Sequence, residues 1–423
     1  MNSIYKIILK IIPAVYFMYL LSMCISMAGM ETFAWIGILL AILAGLYEHF
    51  VNKQNIFVKH PLNRWFLILA CALAVTVITA PYTEESGASK IYYLGRIRNL
   101  ILFSYHLIIF ERFFSYQKAL KTLLYFMFPI ALYAILHKFT GFDPIKGIWA
   151  MHWNPTVNIS SAREVFNIYL TYVNVFQFHF FIILSFALMG KIRAKLRTFL
   201  ILLAAMFMLS FLISNSRAII IAVFVALLVQ VLIARRWIYL IVVGLMIIAP
   251  IITYNISPNF KSKADTTFSS INKYGDQNRY GTFNLHLRMF KDQPIKGVGY
   301  EMNEPLTPIY NKRLQTSAFV GHSHNILIQM LAGTGLLGTI PFIILWGMLF
   351  YMMFSAYRTA YKTDDWYNMV LCHGLIGGFV SFWVNGMTQW NFGDFEVTHN
   401  MMFFMAVAGY VWLKTSYQQY SRQ

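Results

Sequence analysis

Twelve apolar runs of about 20 residues recur along this chain, each about as long as a helix must be to cross the hydrocarbon core of a bilayer. They lie at roughly 9–28, 32–50, 65–82, 98–112, 122–138, 166–189, 198–214, 218–234, 238–256, 335–356, 369–388 and 396–413, with charged or Gly/Pro-bearing turns between most of them. A water-soluble domain cannot bury so much apolar surface: 58% of the 423 residues are hydrophobic, 12% are charged, and the mean hydropathy is +0.57. The expected fold is therefore an all-α polytopic membrane protein of about 12 transmembrane helices. The first run, preceded by Lys6 and Lys10, reads as a retained anchor rather than a cleaved leader. Cys24, Cys71 and Cys372 all fall inside apolar runs and match no metal-binding spacing.

The basic residues give an orientation. With the N-terminus placed in the cytoplasm, the inner loops carry Lys53, Lys59, Arg64, Arg112, Lys118 and Lys121, then Lys191, Arg193, Lys195 and Arg197, then Arg235, Arg236, Arg358 and Lys362. With the two tails this accounts for 18 of the 34 Lys and Arg, as the positive-inside rule requires. Ten of the remaining 16 fall between Arg217 and Arg313. Either a long translocated loop escapes that rule, or this surface meets an anionic substrate. The resulting division is 1–256 with helices one to nine, one large outer loop at 257–334, and 335–423 with the last three helices and a cytoplasmic tail. Within the loop, Phe283–Lys291 reads as an amphipathic helix with Phe283, Leu287 and Phe290 on its apolar face. A short helix, Ile326–Leu331, breaks at Gly333-Thr334-Gly335.

Three residues could carry chemistry. His324 follows Ser323, which can cap the short helix and place the imidazole in its first turn; a helix N-terminus disfavours a cationic ring, and a neutral one can act as a general base. The competing readings are a structural loop histidine, or a metal ligand paired with His322. Arg217 opens a helix from the outer side after Ser214-Asn215-Ser216, where its charge opposes the macrodipole. An anionic partner would explain that placement; so would snorkelling to the interface. Arg288 lies on the polar face of the amphipathic piece, which a solvated face also explains. The acids form no paired-carboxylate motif, so metal independence is expected and no cofactor is implied. Polar groups within the spans look few, chiefly His137, His179 and His373, which favours chemistry at one mouth over a transport path.

The segment His324-Asn325, nine residues, Gly335, two residues, Gly338 resembles the histidine motif of the O-antigen ligase family. Ser214-Asn215-Ser216-Arg217 resembles that family's helix-opening arginine, and Arg288 through Pro294 to Gly299 its loop arginine with a Pro and Gly turn. The resemblance implies a GT-C-like membrane glycosyltransferase of the bacterial inner membrane, with its site facing the periplasm. It would move polysaccharide from undecaprenyl diphosphate onto lipid A–core oligosaccharide in lipopolysaccharide biosynthesis. His324 would deprotonate the acceptor hydroxyl and Arg217 and Arg288 would hold the diphosphate; Asn325 and His322 are candidate accessory residues, but His322 lies outside the matched motif and its role stays open. The partners implied are the lipid-linked donor, the lipid A–core acceptor and membrane lipids, with no nucleic acid. The related O-antigen polymerases use the same donor class and carry a similar loop pattern. They tend to have two sizeable outer loops with arginines, whereas the earlier loop here, roughly 139–165, is short and offers Lys146 and Arg163. A flippase or exporter of lipid-linked sugars is the third class.

Overall fold

A computed structural model describes residues 2–81, 87, 89–140, 169–214, 216–256, 261, 265, 275–316 and 321–420. Among them there is helix and no strand. The helices are α1 (Asn2–Ile25), α2 (Met27–Phe50), α3 (Pro61–Ile78), α4 (Lys90–Ile97), α5 (Ile101–Arg112), α6 (Tyr116–Thr140), α7 (Tyr169–Met189), α8 (Ala194–Ile213), α9 (Arg217–Ala234) and α10 (Ile238–Ile256). After them come α11 (Gly275–Asp292), α12 (Asn303–Leu314), α13 (Ile326–Lys362), α14 (Trp366–Gly386) and α15 (Phe395–Tyr420). A helix stands at each of the twelve positions read from the apolar runs. Eight of the described helices are long and apolar enough to cross a membrane, and a shorter apolar stretch covers Ala218–Ala234.

The bundle is built around α7 and α14. Both are buried on nearly all sides, whereas α1, α2, α3, α6 and α8 keep an apolar face open, as helices bordering lipid do. α14 packs against α7, α9 and α13. The close approach of α7 and α14 depends on small residues: a Cβ on Gly374 would stand 2.7 Å from the Cα of Ile182, and one on Gly378 would meet Phe178. The two helices run antiparallel, since Ser185 meets His373 and, further along, Gln177 meets Ser381 and Asn174 meets Asn385.

Polar groups within the spans are more numerous than the sequence reading allowed. His106, Asn174, Gln177, Gln230 and His399 are buried as well. Tyr16 reaches His106 at 3.0 Å, and Asn174 Oδ1 accepts from Asn385 Nδ2 at 2.7 Å and Asn391 Nδ2 at 3.2 Å. These bonds fasten helix to helix, the use such groups have where water is absent. They are structural ties, so their number does not make a transport path.

Two ends of the bundle are defined by contacts between loops. At one, Arg112 reaches Asn55 O, Tyr116 reaches Asn368, and Lys191 pairs with Asp364 at 3.1 Å. At the other, Lys296 donates to Thr79 O, Asn325 to Met387 O, and Arg96 joins Glu301 and Gly393. The basic residues assigned to the cytoplasm gather at the first end, and the residues with candidate chemistry at the second. The fourth span, read at 98–112, is a 3-10 turn at Arg98–Leu100 followed by α5, and α4 leads into it. At its edge Arg96 also stacks on Phe395, 4.7 Å from the ring centre, and Arg98 pairs with Glu31 at 2.8 Å.

Candidate active site

The long loop and the histidine segment form one unit. After α11 the chain turns at Pro294 and lies along the start of α13. Val298 N–H donates to Ala332 O, Gly299 to Gly333 O, Leu336 to Pro294 O and Leu337 to Ile295 O, all at 2.8–2.9 Å. Only glycine allows this approach. Gly335, at φ 57° and ψ −157°, interrupts α13 in a conformation essentially closed to other residues. A Cβ there would stand 2.5 Å from the Ile295 carbonyl, and one on Gly297, φ 66°, 2.5 Å from Gly333 and Thr334 backbone atoms. The expected break at Gly333-Thr334-Gly335 is therefore present, at Gly335, and it kinks α13 between a short first part and the long second part.

The histidine segment is fixed differently from the sequence expectation. The cap of α13 is Asn325, whose Oδ1 accepts from Leu327 and Ile328 N–H at 3.0 Å, while its Nδ2 donates to Met387 O at 3.0 Å. Ser323 instead donates to Asn325 O at 2.8 Å, and its own N–H is held by Gln329 Oε1 at 2.8 Å. Gln329 in turn donates to Asn303. His324 thus precedes the cap rather than lying in the first turn. The hydroxyl of serine loses to the amide of asparagine, which reaches two helix N–H groups from the residue that adopts extended backbone. His324 has φ 53°, a left-handed backbone uncommon for a side-chain-bearing residue and one that concentrates at functional positions.

His322 and His324 are both partly buried, with ring centres 4.3 Å apart and planes at 80°. Burial keeps the His322 imidazole below its usual range. A third histidine, which the sequence reading did not single out, approaches from α11. His286 is fully buried, its Nδ1–H donates to Thr282 O at 2.8 Å, and Nε2 has no partner among the described residues. Burial pushes it down to about 4, opposed by the Thr282 bond and aided by the nearby charges of His322 and His324. His286 was hidden by a wrong phase. Leu285, His286 and Met289 form the buried face of α11, and Leu287 is 36% exposed. Apolar residues stand on both faces, so periodicity alone did not choose between them.

Since the unfolded chain takes a proton on this histidine below about 6.5 and the folded chain only below about 4, the stability it contributes is present above pH 6.5 and drains as pH falls. Between pH 7 and pH 5 the loss from His286 alone is about 2 kcal/mol. The melting temperature of the intact protein should therefore drop further over that interval than that of His286→Leu. Equal drops would show that this ring does not titrate as its burial requires.

Arg288 is about 200° round α11 from His286, is half exposed, and pairs with Asp292 at 3.5 Å; Asp292 also holds Arg313 at 3.0 Å. Arg217 is the first residue of α9, as expected, and its side chain lies outside the described residues. α7 and α8 are antiparallel, with Tyr172 on Ser210 and Phe176 on Phe207, so the α8–α9 turn stands at the same end of the bundle as the histidines. The cap position, Ser216, makes no side-chain bond to the helix, and its buried hydroxyl has no partner among the described residues. The earlier outer segment with Lys146 and Arg163 also lies outside them.

Glu301, φ 58°, meets Arg96 beside the same loop. Burial raises its carboxyl to about 7 against the pull of Arg96, and burial raises Asp394 to about 6. No three His, Cys, Asp or Glu side chains converge as metal ligands among the described residues.

A comparison with curated proteins finds no match. Residues 199–343, which run from α8 through the histidine segment into α13, match the family model described as O-antigen ligase, and the family resemblance of the histidine motif holds over the stretch that builds this site.

Proposed function

We propose that the chain is an O-antigen ligase of the bacterial inner membrane, transferring polysaccharide from undecaprenyl diphosphate to lipid A–core at its periplasmic face, with a GT-C-like fold of 12 spans and residues 257–334 outside. The observation that carries the reading is the histidine segment itself. His324 is held in a left-handed backbone by the Ser323 and Asn325 bonds, inside the segment matched to the family. In the reaction, His324 takes the proton of the acceptor hydroxyl as its oxygen attacks the anomeric carbon, and the bond from that carbon to the diphosphate oxygen breaks. Burial lowers the pKa of His322, which disfavours a second cation beside the proton arriving on His324.

The diphosphate leaves as an anion and needs cationic donors. Arg217, the open N-terminus of α9 and the Ser216 hydroxyl, which has no partner among the described residues, supply one set. Arg288 supplies the other by leaving Asp292, which keeps Arg313 as its partner. A surface i,i+4 pair of this kind holds by only about 0.3–0.5 kcal/mol, so diphosphate displaces it readily. Arg217→Ala and Arg288→Ala are each expected to lower transfer about a hundredfold or more, with lysine rescuing poorly because a point charge lacks the planar fork. Near-normal transfer by either alanine variant removes that arginine from the mechanism.

The deciding assay gives purified protein lipid-linked polysaccharide and lipid A–core in the presence of EDTA. Product on the core supports a metal-independent ligase. Lengthened lipid-linked chains instead identify a polymerase, and activity that returns only with a divalent ion overturns metal independence.

A further inference from the structure

At the opposite end from the histidines, α6, α7 and α8 enclose a cavity of about 740 Å³. It begins beside Gln117 and Lys121 in the first turns of α6 and extends to Met127. Ten residues of helix make that depth about 15 Å, half of a hydrocarbon core of about 30 Å. The walls are apolar, including Leu124, Ile183 and Phe199. Along the side of the cavity, the lining residues Tyr125 on α6 and Leu196 on α8 are 64% and 42% exposed. Interiors are packed without voids of this size, and an apolar void does not draw in water. Facing a bilayer, the material at hand to fill it is hydrocarbon. His179 lines the deep end, 4% exposed, with its Nε2 lacking a partner among the described residues.

The mouth is mainly basic, with Asp364, paired to Lys191, and Asp365 as the acids beside it. Lys118 and Lys121 on α6 and Arg193 and Lys195 at the start of α8 are exposed, and none of the four is in an ion pair among the described residues. α8 begins there without a side-chain cap and without an acidic residue in its first turn. An uncapped helix start beside four cations suits a phosphate.

We propose that this cavity is a binding site for one anionic glycerophospholipid of the leaflet opposite the histidine site. One acyl chain fills the space between α6 and α7, and the phosphate rests between Lys121 and the N-terminus of α8. The site is independent of the glycosyl-transfer reading. It gives the α6–α7–α8 wedge a lipid in place of missing protein contacts, and it separates this position from the lipid-linked donor at the other face.

The test is native mass spectrometry of delipidated protein titrated with dioleoylphosphatidylglycerol or dioleoylphosphatidylcholine. The expected result is one tightly held phosphatidylglycerol per chain, preferred by about tenfold or more over the zwitterionic lipid. Lys121→Glu, a substitution at an exposed position, should erase the preference, and Ile183→Trp should remove the tight lipid by filling the cavity. Equal retention of the two lipids, or retention untouched by both substitutions, overturns the proposal. So does displacement of phosphatidylglycerol by an equimolar polyprenyl phosphate, which would assign the cavity to a prenyl chain.

Discussion

Replacing His324 by asparagine should stop polysaccharide transfer while the donor still binds and the protein melts no lower than the unmodified chain. The backbone at this position has φ 53°, where asparagine is among the best-tolerated side chains. The substitution therefore keeps the turn before α13 and removes the imidazole, its basic nitrogen together with its ring contact to His322. Asparagine is a cleaner test than alanine, which brings no such compatibility to a left-handed residue. A positioned base is worth about 10²–10⁴ in rate, and the loss should fall in that range. If His324 is the base, the rate of the unmodified protein should fall in acid, because an imidazolium cannot accept the hydroxyl proton. The measurement is donor binding and transfer across pH for the parent, His324→Asn and His322→Asn, the last expected to be milder. Transfer at a normal rate by His324→Asn, or failure only because donor no longer binds, would remove the base role.

The sequence made the helices legible because lipid imposes one rule on every span: a long apolar run whose backbone is bonded within itself. The run at 238–256 is α10 to the residue, and 218–234 differs from α9 by one. What periodicity could not reach is set by contacts between distant segments. Arg96 and Arg98, at the edge of the fourth span, answer Glu301 and Glu31, which lie far off in the sequence. The face of α11 was misread because burial there is decided by docking near the histidine segment, and either face of that helix carries apolar residues. Likewise, Ser323 and Asn325 are equivalent cap candidates by type; the backbone before α13 decides between them. The candidate site was legible in its histidine pair and in the position of Arg217. His286, Gln329 and Asn303 were not, because a buried polar residue on a loop helix has no local mark until its partners are known. Two motifs read separately, Arg288 to Gly299 and His324 to Gly338, are one object joined by four backbone bonds.

That joint makes Gly335 and Gly297 the most sensitive positions outside the histidine pair. Alanine at Gly335 must hold φ 57° with ψ −157°, a region essentially confined to glycine, and its methyl would lie 2.5 Å from the Ile295 carbonyl. Backbone cannot move aside as a flexible side chain can, so the 294–299 segment must lift from α13. Four backbone hydrogen bonds go with it, each worth about 1 kcal/mol net, and the strain is added to them. A loss on the order of 4 kcal/mol or more is expected for Gly335→Ala, with Gly297→Ala close behind. Transfer should fail together with stability, since the helix bearing Arg288 is no longer held against the segment bearing His324. Gly347 and Gly95 are the controls. Both are helical, and a Cβ on either meets nothing within 4 Å, so alanine there should be neutral or stabilising by about 0.5–1 kcal/mol. Thermal melting of the four variants in one detergent, read beside transfer rates, tests the set. Parental melting and transfer in Gly335→Ala would mean that the loop and α13 do not depend on each other, and that the two motifs act separately.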